Sequence, residues 1–268
     1  MKAKKGQALL LKKEGFEEVA VKSPHEELRL SKGRITVTLY KTGTLLIQGN
    51  DKEIHQVNTL LEKTDILPKE VSGLTIGSDE SLKGDTFGGI VVAAVKADDK
   101  IRLKLAQAGI KDSKQVPDYK IPEMAKKIRE TAEYEIISLF PKDYNLEITK
   151  YTGVTFLLNK LHHQAYQYMI KHHPEKTSIK HIVDKYPGCT VGHIIETKAD
   201  ENHIEVAAAS ILAREEALKQ LAVLSKEAGF KLPKGSTHVA DALKKLKERK
   251  VDLSFFVKVD FKNVAPFR

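Results

Sequence analysis

Residues 77–85 read Gly-Ser-Asp-Glu-Ser-Leu-Lys-Gly-Asp and follow directly on the short apolar stretch 74–76. Neighbours in a regular strand point to opposite faces, so Asp79 and Glu80 would not share one site inside a strand. Where a strand ends and twists into a loop, the two side chains can converge, and the glycines of this stretch permit such a turn. The stretch predicts a strand end and a loop, which is either solvated and acidic or part of a functional site.

Two more carboxylates stand at predicted strand ends. Asp184 ends the apolar stretch 179–183, and Asp200 follows the stretch 193–197. Ligand sites collect at strand ends in an open α/β sheet. Four negative charges gathered there would repel one another unless cations occupied the site, and all-oxygen ligation suits Mg²⁺ or Mn²⁺. A pair of such ions about 3.5–4 Å apart serves phosphodiester cleavage, so a metal-dependent nuclease is the leading hypothesis.

From residue 74 onwards, apolar strand patterns alternate with longer helical patterns, as is typical of an α/β domain. Strands are expected at 74–76, 90–95, 134–140, 179–183 and 193–197, helices at 153–171, 204–228 and 239–248, and a strand or extended segment at 253–261. Gly229 stands where a helix C-cap belongs. The run Ala-Ala-Ala-Ser at 207–210 allows backbones to pack closely.

The first 68 residues follow a different pattern. Positions 35–40 alternate apolar and polar residues, the period of a sheet with one covered face. Short strands are expected at 28–30, 34–40 and 44–48, and helices at 3–13 and 54–64. These elements would form a small α+β module.

Composition narrows the class of protein. The 268 residues carry 45 Lys and Arg against 36 Asp and Glu, a net charge of +9 that favours a polyanionic partner, although a solvated lysine surface gives the same sum. The single cysteine, Cys189, excludes an internal disulfide framework and a multi-cysteine zinc site, and it favours a reducing, cytoplasmic location. No apolar run approaches about 20 residues, so we expect no membrane contact.

Several short motifs resemble those of the type 2 ribonucleases H, and within them the ribonuclease HIII group. The Asp-Glu pair with its following residues resembles the family's opening signature, and Lys-Asp-Ser-Lys at 111–114 resembles its second motif. Residues 181–184 resemble the strand with the third carboxylate, and 198–200, ten positions before Ser210, resemble the segment with the fourth. The first 68 residues resemble the TATA-box-binding-protein-like module that distinguishes ribonuclease HIII from ribonuclease HII.

The resemblance implies a ribonuclease H-like α/β domain with a mixed central sheet flanked by helices at 69–268. It implies a TATA-box-binding-protein-like substrate-binding domain of α+β class at 1–68. The implied reaction is endonucleolytic hydrolysis of the RNA strand of RNA–DNA hybrids with two Mg²⁺ or Mn²⁺ ions, leaving 5′-phosphate and 3′-hydroxyl ends. The implied catalytic and metal-binding residues are Asp79, Glu80, Asp184 and Asp200.

The resemblance also implies contacts with substrate. The residues concerned are Ser81, Lys83, Gly84, Ser113, Lys114 and Ser210. The first three would meet the backbone and the ribose 2′-hydroxyls, which separate RNA from DNA. The next two would bind phosphate, although Lys114 is also open to the interpretation of an ordinary surface lysine. Ser210 either binds substrate or serves only helix packing. Lysines at 2, 4, 5, 12 and 13 form a solvated helix face or a further hybrid contact.

Two positions depart from the family pattern. Leu82 stands where the family usually has glycine, and a γ-branched side chain resists a positive φ. Gly89 stands where the family tends to have proline, which predicts a more flexible entry to the next strand. Neither change removes a carboxylate, so we still expect activity, and the two departures bear on the geometry and affinity of substrate binding.

The histidine pairs 162–163 and 172–173 are interpreted as surface or helix-end residues, because adjacent helical residues point about 100° apart and do not easily share one ion. The expected partner is the hybrid duplex, with no obligatory protein partner, so we expect a monomer. Two alternatives stay open at this point: ribonuclease HII-like cleavage at single embedded ribonucleotides, and a hybrid-binding protein without catalytic activity.

Overall fold

The structure, a computed structural model, describes residues 8, 11–42, 44–51, 53–54, 56–57, 60, 73–110, 116–171 and 179–268. The chain divides into two units, Met1–Glu70 and Val71–Arg268. Each unit buries its own set of apolar side chains. The domain boundary predicted after residue 68 lies outside the described residues and stays a prediction.

An antiparallel sheet with the order β1-β2-β3-β4 forms the first unit. Its strands are β1 (Glu17–Glu18), β2 (Glu26–Lys32), β3 (Ile35–Tyr40) and β4 (Leu45–Gln48). The period-2 alternation buries Val37 and Leu39 of β3 against the apolar core of the unit. Tyr40 and Gln48 fall on the other face, where Thr36 pairs with Gln48. The apolar residues of β3 therefore share one face, as the alternation predicts, although Thr38 on the other face is also buried.

The three strands predicted in this unit are confirmed as β2, β3 and β4. Strand β1 was not predicted, because two successive glutamates carry no apolar alternation. Most of the helix expected at 3–13 lies outside the described residues, and its described end is the 3-10 turn Leu11–Glu14. The helix expected at 54–64 is also only partly described, and its described positions 54, 56, 57 and 60 are helical.

The second unit contains a mixed sheet with the order β7-β6-β5-β8-β9. The strands are β5 (Thr75–Ser81), β6 (Ile90–Ala97), β7 (Glu133–Leu139), β8 (Lys180–Asp184) and β9 (Ile194–Glu196). Strand β5 is central: it pairs antiparallel with β6 and parallel with β8. The predicted mixed sheet is therefore confirmed.

Helices cover both faces of this sheet. They are α1 (Asp99–Gln107), α2 (Ile121–Thr131), α3 (Pro141–Ile148), α4 (Val154–Lys171), α5 (Ala199–Asn202), α6 (Ile204–Ala228) and α7 (Ala240–Glu248). Alternate residues of β6 enter two different cores: Val91 and Val95 pack with α6, whereas Val92 packs with α4. Because β6 is covered on both faces, it reads as a continuous apolar run.

Helix α6 lies very close to β5, which fixes the position of the candidate site. A Cβ atom at Gly77 would stand 2.6 Å from the Val206 backbone nitrogen, so only glycine fits at that crossing. The alanines at 207–209 are buried beside it. The helix ends at Gly229, whose φ of +72° is the left-handed conformation that glycine adopts without penalty. Both bounds of α6 agree with the prediction.

Three parts of the second unit differ from the sequence prediction. Strand β5 runs on to Ser81 and includes the acidic pair that was expected in a loop. Segment 253–261 is not a strand but holds the 3-10 turn Leu253–Phe255, with Val257 in an isolated bridge to Phe87. Helices α1, α2 and α3 were not predicted. Within the described part of the chain, every helix is too short or too polar to span a bilayer.

Candidate active site

Asp79 and Glu80 leave β5 on opposite sides. The Ser210 hydroxyl of α6 donates to the Asp79 carboxylate on one side, and a ring nitrogen of His162 in α4 meets Glu80 on the other. The turn that was expected to bring the pair together is absent from the described residues, since both belong to a regular strand. They remain near one another because they are neighbours at the end of β5, next to the end of β8.

The Asp79 carboxyl has an unusual proton affinity. Burial, together with the negative charges of Glu80 and Asp184, raises its pKa from 3.8 to about 8. Hydrogen bonds from Ser210 and from the Glu80 backbone N–H act in the opposite direction and are outweighed. Burial is the largest of these causes, so the Asp79 carboxyl is protonated at neutral pH in the metal-free protein.

The Glu80 carboxylate has cationic and imidazole partners. Its Oε1 atom pairs with Lys83 Nζ, and its Oε2 atom lies 3.3 Å from His162 Nε2. Burial alone would raise the pKa of Glu80, but His162 and Lys83 lower it below the usual value. Glu80 is therefore ionised at neutral pH, in contrast to Asp79.

Asp184 lies at the end of β8, and Asp200 is next in the chain to the residue whose backbone N–H contacts Asp184. Asp184 is the last residue of β8, and its Oδ1 accepts a 2.8 Å hydrogen bond from the Ala199 backbone N–H. Lys198 precedes this contact with a φ of 61°, the left-handed conformation that non-glycine residues seldom adopt. Asp200 follows Ala199 in the short helix α5 and is only 3% exposed.

A cleft of about 570 Å³ opens at this end of the sheet. Its lining includes Asp79, Glu80, Ser81, Leu82, Lys83, Gly84, Asp85, Asp184, Ser210 and Arg214. Asp200 is not among the described residues that line it. Ser113 and Lys114 lie outside the described residues. In the part of the chain that the structure describes, no three Asp, Glu, His or Cys side chains already surround one point closely enough to grip an ion.

The structure of the loop at 82–89 differs from the expectations for Leu82 and Gly89, the two positions that depart from the family pattern. Leu82 adopts a φ of 66°, so the backbone keeps the glycine-like conformation although the residue is leucine. Its side chain is buried, and a Cβ at Gly88 would stand 2.8 Å from its Cδ1. Gly89 is a close-packed position: a Cβ there would stand 1.9 Å from the Leu139 carbonyl oxygen. The Gly89 N–H also donates to Gln220, which proline has no hydrogen to do.

The interpretation of His162 as a surface residue is wrong. Its side chain is 0% exposed, and it lies between Ser78 and Glu80 of β5. Its spacing from Leu158 and Ala165 on the buried stripe of α4 is the signal that could have found it. Phe156 and Tyr168 of the same helix lie off this stripe and are exposed. His163 is exposed as predicted, and 172–173 lie outside the described residues.

The known proteins that this chain resembles are type 2 ribonucleases H. The family model described as ribonuclease HII matches residues 76–264. Ribonuclease HIII of Aquifex aeolicus is 33% identical over 246 residues, which cover 88% of this chain and 90% of the relative. Ribonuclease HIII of Lactococcus lactis subsp. cremoris is 29% identical over 273 residues, covering 96% and 92%. The crystal structure of Bst-RNase HIII in complex with Mn²⁺ matches with a TM-score of 0.71 at 25% identity and covers 100% of this chain and 96% of that one.

Proposed function

The chain belongs to the ribonuclease HII family and to its ribonuclease HIII group, and on this premise we propose that Asp79, Glu80, Asp184 and Asp200 hold the ions of its active site. As a member of the group it is a metal-dependent endoribonuclease that hydrolyses the RNA strand of RNA–DNA hybrids. The family uses Mg²⁺ or Mn²⁺. We propose below which residues of this chain bind the ions and the substrate.

The observation that carries the proposal is that Asp79, Glu80 and Asp184 line one cleft, where the pKa of the buried Asp79 is raised to about 8. Burial of Asp79 is the largest cause of this shift, and the negative charges of Glu80 and Asp184 add to it, so the site favours an added positive charge. A divalent cation in the cleft would supply that charge and return Asp79 to its ionised form. Asp200, one residue beyond the N–H that holds Asp184, would complete the set.

The donor set fits a hard divalent ion, because it consists of carboxylate oxygens. We propose two ions, which when bound would activate the attacking water and neutralise the 3′ leaving oxygen, giving 5′-phosphate and 3′-hydroxyl ends. The chain itself supplies orientation: Ser210 holds the Asp79 carboxylate by its hydroxyl, and the Ala199 N–H holds that of Asp184. Ser210 thus supports a metal ligand in this proposal, a role distinct from the substrate contact first considered.

Substrate contacts would come from the cationic and open parts of the cleft wall. Lys83, whose side chain is 37% exposed, can exchange Glu80 for a phosphate oxygen once an ion neutralises that carboxylate. Arg214 lines the same wall and donates a 2.7 Å hydrogen bond to Asp118. Gly84 has no atom within 4 Å of the place of a Cβ, so the backbone there is open to approach by a ribose. Ser81 lines the same cleft.

The first unit has its own place in the proposal. We propose that it is a TATA-box-binding-protein-like module that binds the hybrid, with Tyr40 and Gln48 on the face turned away from its apolar core. Phosphate contacts there would raise affinity with steep salt dependence and little sequence preference. We also propose that the protein acts as a monomer in the cytoplasm.

Incubation of an end-labelled hybrid with increasing Mg²⁺ or Mn²⁺ tests the proposal, with product ends read on a gel. We expect cleavage of the RNA strand to depend on the ion, and Asp79→Asn, Glu80→Gln, Asp184→Asn and Asp200→Asn each to abolish it. Wild-type cleavage by any of the four variants would remove that residue from the set.

A duplex with one embedded ribonucleotide separates the proposal from the alternative of ribonuclease HII-like cleavage. We expect a continuous hybrid to be cut efficiently and the single-ribonucleotide duplex poorly. Efficient cutting of the latter would favour the alternative. Binding of the hybrid without turnover at any ion concentration would instead indicate a non-catalytic protein.

A further inference from the structure

His162 is a fully buried imidazole directly behind the candidate active site. It stands on α4, and its two ring nitrogens face two residues of β5: Nδ1 lies 2.8 Å from Ser78 Oγ, and Nε2 lies 3.3 Å from Glu80 Oε2. Ser78 and Glu80 are two apart in the strand, so they point to the same face, opposite to Asp79. The imidazole therefore spans one face of the strand that carries the acidic pair.

A second histidine extends the chain of contacts to β8. Ser78 Oγ also lies 2.8 Å from His181 Nε2, three residues before Asp184. Aromatic stacking fixes the planes of both rings. His181 stacks on Tyr166 with centroids 4.8 Å apart, and His162 stacks on Tyr186 at 5.4 Å. The chain joins the two strands that carry acidic residues of the cleft.

The direction of the hydrogen bond to Glu80 follows from what each group can do. An ionised carboxylate only accepts, so His162 Nε2 must carry the hydrogen. The Ser78 hydroxyl has one hydrogen and lies between two ring nitrogens, so it donates to one and accepts from the other. If His162 is neutral, Ser78 donates to it, and if both of its nitrogens are protonated, Ser78 accepts from it. Nε2 donates to Glu80 in either case.

The two oxygens of Glu80 thus have different partners. Oε2 faces a ring that is 0% exposed and held by stacking, whereas Oε1 pairs with Lys83, which is 37% exposed. A long, partly exposed lysine can release its partner, whereas burial and stacking restrict the imidazole of His162 to one orientation. Oε2 therefore has the more enclosed partner, and Oε1 is the oxygen with the more accessible one.

We propose that His162 is a positioning residue that fixes the rotamer of Glu80, so that the carboxylate stays aimed into the cleft when it exchanges Lys83 for a divalent ion. The proposal rests on the proposed role of Glu80 as a metal ligand. Partners that orient ligands in this way typically change metal affinity or activity about 10–100-fold when they are removed.

Three variants of the full-length protein test the proposal. His162→Leu replaces the imidazole with an apolar side chain of similar size and so removes the donor. His162→Gln keeps an N–H in reach of Glu80. His163→Leu is the matched control on the exposed face of α4. The primary measurement is Mn²⁺ binding by the metal-free protein, with free Mn²⁺ counted by its electron paramagnetic resonance signal. Steady-state cleavage of a hybrid then separates kcat from KM.

We expect His162→Leu to bind Mn²⁺ about 10–100-fold more weakly and to lose kcat, while KM for the hybrid stays within about twofold of wild type. His162→Gln should recover Mn²⁺ affinity to within about threefold, and His163→Leu should match wild type. A folded His162→Leu protein with wild-type Mn²⁺ affinity would overturn the proposal. A His162→Gln protein as defective as His162→Leu would also overturn the proposal. That result would show that an N–H donor at this position does not restore the site.

Thermal unfolding followed by circular dichroism shows whether each variant folds. If His162→Leu does not fold, Ser78→Ala decides: it frees the ring of His162 from one side, and we expect weaker Mn²⁺ binding, whereas wild-type affinity would overturn the proposal. Glu80→Gln separates this proposal from the one on which it rests. Unchanged Mn²⁺ affinity and cleavage in Glu80→Gln would overturn the role of Glu80 itself, while a defective Glu80→Gln beside a normal His162→Leu would overturn only the role of His162.

Discussion

Asp79→Asn should change how the free energy of unfolding of the metal-free protein depends on pH. Burial and the charges of Glu80 and Asp184 raise the pKa of Asp79 from 3.8 to about 8 in the folded chain. Between these values the folded protein keeps a proton that the unfolded chain has released, so the free energy of unfolding falls as pH rises. One proton corresponds to about 1.4 kcal/mol per pH unit, or about 3 kcal/mol between pH 5 and pH 7.

Two other buried groups have pKa shifts that make the free energy of unfolding rise, rather than fall, as pH increases. Burial, with the positive charge of nearby histidines, lowers the pKa of His181 to about 3, so the unfolded chain binds a proton that the folded chain lacks up to about pH 6.5. Burial likewise lowers the pKa of Lys258 to about 7, which raises the free energy of unfolding with pH only above that value. His181 and Lys258 are present in both wild type and Asp79→Asn. The difference between the two proteins in the pH dependence of the free energy of unfolding therefore reports on Asp79.

Urea unfolding in the presence of a chelator, followed by circular dichroism at pH 5, 6 and 7, measures this difference. We expect the free energy of unfolding of wild type, relative to Asp79→Asn, to fall by about 3 kcal/mol over the range. Asp143→Asn, which removes an exposed carboxylate of α3, should run parallel to wild type. Equal pH slopes for wild type and Asp79→Asn would refute the reasoning.

Three further predictions concern the active site, the first unit and the loop beside the cleft. Asp184→Asn should keep the fold, because it removes a charge that repels its neighbours, while hybrid cleavage falls by orders of magnitude; near-normal turnover would contradict this. Deletion of residues 1–68 should raise KM for the hybrid more than it lowers kcat, and an unchanged KM would count against it. Gly89→Ala should lower the free energy of unfolding by about 1–3 kcal/mol or more, since its Cβ would stand 1.9 Å from the Leu139 oxygen. Gly84→Ala, with open space, should stay within about 0.5 kcal/mol of wild type in the same urea titration, and equal losses would contradict the packing argument.

Regular apolar patterns predicted most of the sheet and the long helices. Alternation located β3, and the run of alanines with Gly229 behind it located α6 to the residue. These elements were predictable because each pattern is local and serves one buried face. Helices α1 to α3 were missed, although the apolar residues of α2 at positions 121, 125 and 128 fall on one buried face.

Strand β5 shows where local patterns fail. Ser78, Asp79, Glu80 and Ser81 are polar, so the sequence predicted a loop after Ile76. They remain in a strand because β6 pairs with all four of them and β8 also pairs with Ser78, and only the tertiary fold supplies these neighbours. Polar residues in a central strand break the hydrophobic pattern because they serve a site.

The roles of the side chains around the acidic residues were equally beyond local reasoning. His162 was judged from its neighbours on the helix, but its partner Ser78 lies 84 residues earlier in the chain. Leu82 was expected to resist a positive φ, yet burial of its side chain holds it there at 66°. Gly89 was read as flexible, whereas the carbonyl of Leu139 leaves no room for any other residue.

Anomalous diffraction from crystals of this chain soaked in Mn²⁺ tests the metal-binding set most directly. We predict Mn²⁺ peaks in the cleft within coordination distance of side-chain oxygens of Asp79, Glu80, Asp184 and Asp200. Peaks confined to other surfaces, or a bound ion that leaves any of these four carboxylates uncoordinated, would contradict the account.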